Sequence, residues 1–240
     1  MALDVNKNSY TFMFAAIMVV VVAALLSFAA TSLKPMQDEN VEREKMQNIL
    51  ASIGVEVERD GAEEKYKEYI KQELVIRNGK VEEGVDAFTV EMSKEVAKPA
   101  QERNAPLYVA SKEGQTYYII PLRGKGLWGP IWGYISLSED ANTVYGAVFD
   151  HKGETPGLGA EIVTPMFSEQ FHEKKILNAD KELVSIEVRK GDASGEYQVD
   201  GISGGTITSQ GVQDMIEDNM DAYFPFLLNF NSGSEATAMK

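Results

Sequence analysis

The chain has 240 residues, no cysteine and a formal net charge of −14, from 37 acidic against 23 basic side chains. That charge disfavours nucleic acid and anionic lipid surfaces as partners. The absence of cysteine removes disulfides, thiolate metal sites, iron–sulfur ligation and thiol nucleophiles.

Taken from the N-terminus, residues 1–10 form a short tail. Thr11 to Leu33 then carries no charged side chain, and four valines follow one another at Val19–Val22. The run is long enough to cross the ~30 Å hydrocarbon core as a helix. A secretory signal peptide is the rival reading, with Lys7 as its basic region and Ser27-Phe28-Ala29 as a cleavage site. The run exceeds the ~7–15 apolar residues of such a peptide, which favours an uncleaved anchor over 11–33. Charge does not fix its orientation. Lys34, Arg43 and Lys45 lie beyond the run and only Lys7 and the α-amine before it, yet long domains translocate largely regardless of such charges.

The roughly two hundred residues beyond the run are enough for one domain with its own core. Residues 37–53 read as a helix with Val41, Met46, Ile49, Leu50 and Ile53 on one stripe and Gly54 as the stop. A second short helix is expected within Ala62 to Val75, with Tyr66, Tyr69, Ile70 and Leu74 on one face. Strands are expected at Val85–Val90, Leu107–Ala110, Thr116–Leu122, Ile131–Leu137 and Thr143–Phe149, at spacings that suit antiparallel hairpins. Phe167–Leu177 reads as a helix, Leu183–Val188 and Glu196–Val199 as strands, and Gly211 to Tyr223 as a helix. Residues 231–240 are small and polar and are expected to be disordered. Central strands with helices at both ends argue for an α+β fold with an antiparallel sheet.

Three segments have the chemistry of a site. Asp200-Gly201-Ile202-Ser203-Gly204-Gly205-Thr206 ends a glycine-rich turn on a hydroxyl, just ahead of an amphipathic run that includes Thr208. Such a turn, aimed by a helix N-terminus, offers backbone N–H groups to an anion; an ordinary surface turn is the plainer alternative. Gly153-Glu154-Thr155-Pro156-Gly157-Leu158-Gly159 combines a proline-set turn with glycines that permit close backbone approach. Gly124 to Tyr134 alternates glycines with Trp128, Trp132 and Tyr134. Trp132 reads as core, and Arg123 and Lys125 are candidate counter-charges for a phosphate. His151 and His172 have no serine and aspartate at a catalytic spacing and read as structural.

Together these segments resemble the C subunits of bacterial sodium-translocating NADH:quinone oxidoreductases. The resemblance runs over nearly the whole chain. Besides the apolar run it covers Leu33-Lys34-Pro35, Gln47-Asn48-Ile49-Leu50, Gly126-Leu127-Trp128, the Glu-Thr-Pro-Gly-Leu-Gly turn, the threonine segment and Pro225-Phe226-Leu227. The G subunits of the related Rnf electron-transport complex share the flavin motifs and are the alternative, as is a membrane-anchored phosphate or flavin module without a redox role. The resemblance implies FMN joined through its phosphate to Thr206 by a separate flavin transferase. It places Ser203, Gly204, Gly205 and Thr208 around that phosphate. It makes Glu154, Thr155, Gly157, Leu158, Gly159 and Trp128 the walls of the flavin pocket. Gly205 stands where the family motif usually has alanine. No protein acid, base or metal ligand is implied for turnover. It further implies a single-pass subunit of the bacterial inner membrane with an FMN-binding domain over 34–230 on the periplasmic side. Its partners would be the other subunits of the complex, among them a second flavin-carrying membrane subunit.

Overall fold

The computed structural model describes residues 7–231. Residues 1–6 of the predicted tail over 1–10, and 232–240 of the tail predicted to be disordered, lie outside the described residues. The chain forms two compact units, one up to Lys45 and one from Met46 onward. Helix α1, Asn8–Ser52, contributes to both.

In the first unit the apolar side chains of α1 are exposed all round, Phe12 at 75% and Phe28 at 74%. An all-round apolar surface suits lipid rather than water. Among the described residues α1 is the one helix long and apolar enough to cross a membrane. The Thr31 hydroxyl donates to the Ser27 carbonyl at 2.8 Å, which satisfies it within the helix. The apolar run over 11–33 and the helix read over 37–53 are parts of one continuous helix. Pro35 removes one backbone donor. The ion pairs Lys34–Asp38 and Arg43–Glu39, each 2.6 Å at i,i+4, support the turns that follow it.

The second unit continues with α2 (Ala62–Tyr69), β1 (Ile70–Arg77), β2 (Lys80–Val81), α3 (Met92–Glu95), β3 (Ala105–Lys112) and β4 (Gln115–Lys125). It then runs through β5 (Pro130–Leu137), β6 (Val144–His151), α4 (Pro165–Ser168), β7 (Glu187–Arg189), β8 (Gln198–Asp200) and α5 (Thr206–Asn231). Six strands form one antiparallel sheet in the order β2-β1-β3-β4-β5-β6. β7 and β8 pair in parallel apart from it. The fold is α+β, with the expected antiparallel sheet.

Both faces of the sheet are buried. Tyr118, Ile120 and Leu122 of β4 join the α5 stripe of Val212, Met215, Ile216, Met220, Tyr223, Phe226 and Leu227. Tyr117 and Ile119 turn the other way, to Tyr66 of α2 and to Ile49, Leu50 and Ile53 at the end of α1. Period-two alternation therefore sorts one strand into two cores. Gly124 lets α5 approach β4: a Cβ there would lie 2.6 Å from the Met215 Cβ. At the other core, the Ser136 hydroxyl donates to the Ser52 carbonyl and Lys112 Nζ donates to the Ile53 carbonyl at 2.8 Å. These bonds satisfy carbonyls that the end of α1 leaves without helical partners.

Three predicted elements differ in type or length, and the strand expected at Leu183–Val188 is confined to β7, Glu187–Arg189, with Leu183 in an isolated bridge to Leu177. The helix expected within Ala62 to Val75 ends at Tyr69, and Ile70 and Leu74 belong to β1. β1 is covered on both sides, Leu74 and Ile76 by one core and Ile70 and Val75 by the other, so its apolar residues imitate a helical stripe. The strand expected at Val85–Val90 is a 3₁₀ turn over Ala87–Thr89, because the Asp86 carboxylate takes the Phe88 N–H at 2.9 Å. The helix expected at Phe167–Leu177 is reduced to α4 and a 3₁₀ turn over Glu169–Phe171. Phe171 packs edge-on with Phe149 and Phe167, and Glu173 at φ 62° turns the chain back to pair with Thr143 through Lys175.

One long-range polar contact fastens α5. The Arg103 side chain, 7% exposed, meets both Asp218 carboxylate oxygens at 2.9 and 3.0 Å and donates to the carbonyls of Val96, Lys98 and Asp218. Arg103→Ala leaves those carbonyls without a donor. With Asp218 half exposed, the expected loss is about 2–3 kcal/mol, measured by urea unfolding of the full chain. Arg103→Lys recovers little of it, because an ammonium cannot reproduce the planar fork.

Candidate functional site

Three connections converge beside the first turn of α5. The β4–β5 connection turns through Gly126, whose N–H bonds the Gly129 carbonyl at 2.8 Å, and leaves Trp128 68% exposed. After β6 the chain enters the Gly153–Gly159 turn, where Thr155 O accepts from Leu158 N and Ala160 N, both at 3.1 Å. After β8 it passes Gly204 at φ 76°, and Gly205 N bonds Ile202 O at 2.9 Å. Ser209 ties this loop to the helix, accepting Ile202 N–H on its hydroxyl and donating its own N–H to Gly205 O, each at 2.9 Å. Ser209 thus makes the first helical bond. By helix geometry the N–H groups of Thr206, Ile207 and Thr208 precede it and are open to an anion.

Glu154 joins the three connections. Its side chain is buried, with one carboxylate oxygen accepting Trp128 N–H at 2.8 Å and the other the Thr208 hydroxyl at 2.6 Å. Two glycines make room for it. A Cβ at Gly126 would lie 2.6 Å from Glu154 Oε1, and one at Gly159 would lie 2.5 Å from Oε2 and 2.6 Å from Thr208 Oγ1. At Gly205 the nearest contact of an added Cβ would be Ile202 Cγ2 at 3.0 Å. The alanine usual in the motif therefore fits here after a shift of a few tenths of an ångström.

Thr206 lines two cavities beside this turn. One, of about 360 Å³, is lined by Leu127, Trp128, Glu154, Thr155, Leu158 and Gly159 on one side and by Gly204 to Thr208 on the other. Its apolar walls and size suit a planar ring system, since ligand sites run from ~300 Å³ upward. The second, of about 370 Å³, brings Arg189 and Lys190 to face Ser203, Gly204 and Thr206. Thr206 and Gly204 line both. Thr206 is exposed at the helix start, whereas the rival hydroxyl of Thr208 is 1% exposed and already donated to Glu154.

The structure therefore gathers Trp128, Glu154, Thr155, Leu158, Gly159, Gly204, Gly205, Thr206 and Thr208 around one cavity. Gly157 and Ser203 line a neighbouring depression instead, and Ser203 also faces the basic cavity. Arg123 is not at the site: it lies over the Trp132 ring at 5.2 Å, where burial pulls its pKa below the ordinary value. Trp132 is half buried in that contact. Lys125 lines neither cavity. The basic residues that face Thr206 are Arg189 and Lys190, which lie in no recognisable motif. His151 Nδ1 accepts Glu154 N–H at 3.2 Å and His172 Nδ1 meets Tyr145 O at 2.6 Å, so both histidines brace backbone.

This architecture, a sheet and helix enclosing a glycine-lined cavity, defines an FMN-binding domain, and that family matches residues 126–221. Similar along nearly their whole length are the C subunits of two Na(+)-translocating NADH-quinone reductases. That of Haemophilus ducreyi is 30% identical over 96% of this chain and 98% of that protein, and that of Pasteurella multocida 33% identical over 87% and 89%. The crystal structure of the C subunit from Parabacteroides distasonis superposes with a TM-score of 0.75 at 46% identity, covering 81% of this chain and 96% of that one. The C subunit of Shewanella oneidensis, at 22% identity and a TM-score of 0.67, shares the fold. The chain belongs to the family of C subunits of Na⁺-translocating NADH-quinone reductases.

Proposed function

We propose that the chain carries FMN as a phosphoester of Thr206 and relays electrons within the sodium-pumping complex. The observation that carries this reading is the position of Thr206: exposed, first in α5, and shared by an apolar and a basic cavity. A phosphodiester on its hydroxyl extends the ring into the cavity of Leu127, Trp128 and Leu158. Its charged oxygens turn toward Arg189, Lys190 and the open amides of the helix start. Glu154 and Thr208 hold the cavity walls together, and Leu158 with Trp128 shields the ring from water. Bound there, FMN supplies one-electron transfer between redox centres, while the protein contributes position and electrostatics.

The wider reading follows the family. The apolar helix serves as a single membrane anchor, and the domain over 34–230 lies on the periplasmic side. A flavin transferase loads Thr206. A second flavin-carrying membrane subunit takes the electrons.

Intact mass of the full chain, made with and without the transferase, tests the attachment. A gain of one FMN less water, with fluorescence that survives a denaturing gel, is the expected result. A flavin released by denaturation would leave a noncovalent binding module instead. For the side, a reporter joined after Lys240 should be active only outside the cytoplasmic membrane. Activity confined to the cytoplasm would reverse the topology.

A further inference from the structure

The wall of the ring cavity contains a buried charge that the attachment chemistry does not use. Glu154 is 5% exposed and lines the cavity with Trp128, Leu158 and Thr208. Both carboxylate oxygens accept hydrogen bonds, the arrangement of an ionised acid. Among the described residues no cation forms an ion pair with it. Lys125 and Lys152 lie on the adjoining connections without lining the cavity, and His151 takes only its backbone N–H. A buried carboxylate is costly when unpaired, whereas a glutamine could still accept from Trp128 N–H and, with the Thr208 bond reversed, donate to its oxygen without a charge. The retained charge therefore points to a use beyond holding loops together.

We propose that Glu154 is a fixed negative charge that makes reduction of the bound flavin less favourable and so sets its working potential. The inference rests on the FMN reading above. Each electron enters the ring from a donor subunit and leaves to an acceptor, and Glu154 exchanges neither electron nor proton with it. An added electron puts negative charge in a cavity whose wall is already negative. Arg189 and Lys190 line the second cavity, not this one. They neutralise the phosphate rather than the ring. Glu154 is thus a positioning residue acting through its field, separate from the attachment at Thr206.

The test is a potentiometric titration of the full-length flavin-bearing chain in detergent, after intact mass has established attachment in each variant. Glu154→Gln keeps an acceptor for Trp128 N–H and a donor for the Thr208 oxygen while removing the charge. At the potential where the unaltered protein is half reduced, its ratio of reduced to oxidised flavin should rise about fivefold or more. Glu154→Asp and Thr208→Val keep the charge but disturb the hydrogen bonds. Whatever they do to the packing of the walls, neither should raise the reduced share as Glu154→Gln does. An unchanged ratio in Glu154→Gln with flavin attached would overturn the inference and leave the FMN reading intact. If Glu154→Gln fails to fold, a fivefold rise in Glu154→Asp or Thr208→Val would overturn it equally, since geometry rather than charge would then set the potential. An unaltered chain that takes up no flavin would instead sink the FMN reading itself.

Discussion

Thr206→Val, produced beside the flavin transferase, should carry no covalent flavin and should still fold. Valine keeps the branched shape and removes only the hydroxyl. The residue is exposed at the start of α5, so the change in stability should stay within about 0.5 kcal/mol. The neighbouring hydroxyls are poor substitutes. That of Thr208 is buried and donated to Glu154 at 2.6 Å. Ser203 is exposed but sits beyond Gly204, away from the apolar cavity. Flavin mapped by peptide mass spectrometry to either of them in the unaltered protein would overturn the assignment. The same variant shows what the bond accomplishes. Tethering raises the local concentration of the ring to about millimolar or above, so a weak cavity stays filled. With a net charge of −14 on the chain, free FMN should bind Thr206→Val weakly and leave on dilution. Nanomolar affinity in a titration would mean that the fold alone retains the cofactor.

The sequence made much of this legible, for physical reasons that differ between elements. β3 to β6 are consecutive antiparallel strands joined by short connections, so period-two alternation and turn residues such as Glu113-Gly114 mark them. The amphipathic stripe of α5 is equally plain, but its start at Thr206 rather than Gly211 is not, since the glycine-rich turn conceals the first helical residue. β1 misled because it is covered on both faces, which erases alternation. At the site, the motifs located the residues and left their contacts unknown. Glu154 reaches Thr208 across 54 positions and Trp128 across 26, and only the fold brings them together. Arg189 and Lys190 escaped notice because basic residues at the end of a three-residue strand carry no pattern. Arg123 attracted attention through its neighbourhood in sequence, while its side chain is committed to Trp132.

The three glycines of the Gly153–Gly159 turn are expected to respond to alanine in three different ways. Gly153 has open space around an added Cβ and no left-handed backbone, so Gly153→Ala should be neutral within about 0.5 kcal/mol. Gly157 also has open space but sits at φ 75°, so Gly157→Ala meets only backbone strain, about 1–2 kcal/mol. At Gly159 the backbone is permissive and the space is not. The new methyl would press on Glu154 Oε2, on Thr208 Oγ1 and, at 3.1 Å, on the Thr208 Cβ. Neither partner can yield freely, because each is buried and bonded to the other. The turn must therefore move away from α5, at about 1–3 kcal/mol. Gly159→Ala alone should also disturb the flavin. The covalent bond at Thr206 keeps the cofactor in place, so the absorbance and fluorescence of the ring should change while its stoichiometry does not. In the Thr206→Val background, where nothing tethers the ring, Gly159→Ala should weaken FMN binding by about tenfold, as a lost 1.4 kcal/mol would. Gly153→Ala should leave that affinity unaltered. Equal losses at Gly153 and Gly159 would show that the whole turn acts by its flexibility, and the packing of Gly159 against Glu154 and Thr208 would not be what shapes the cavity.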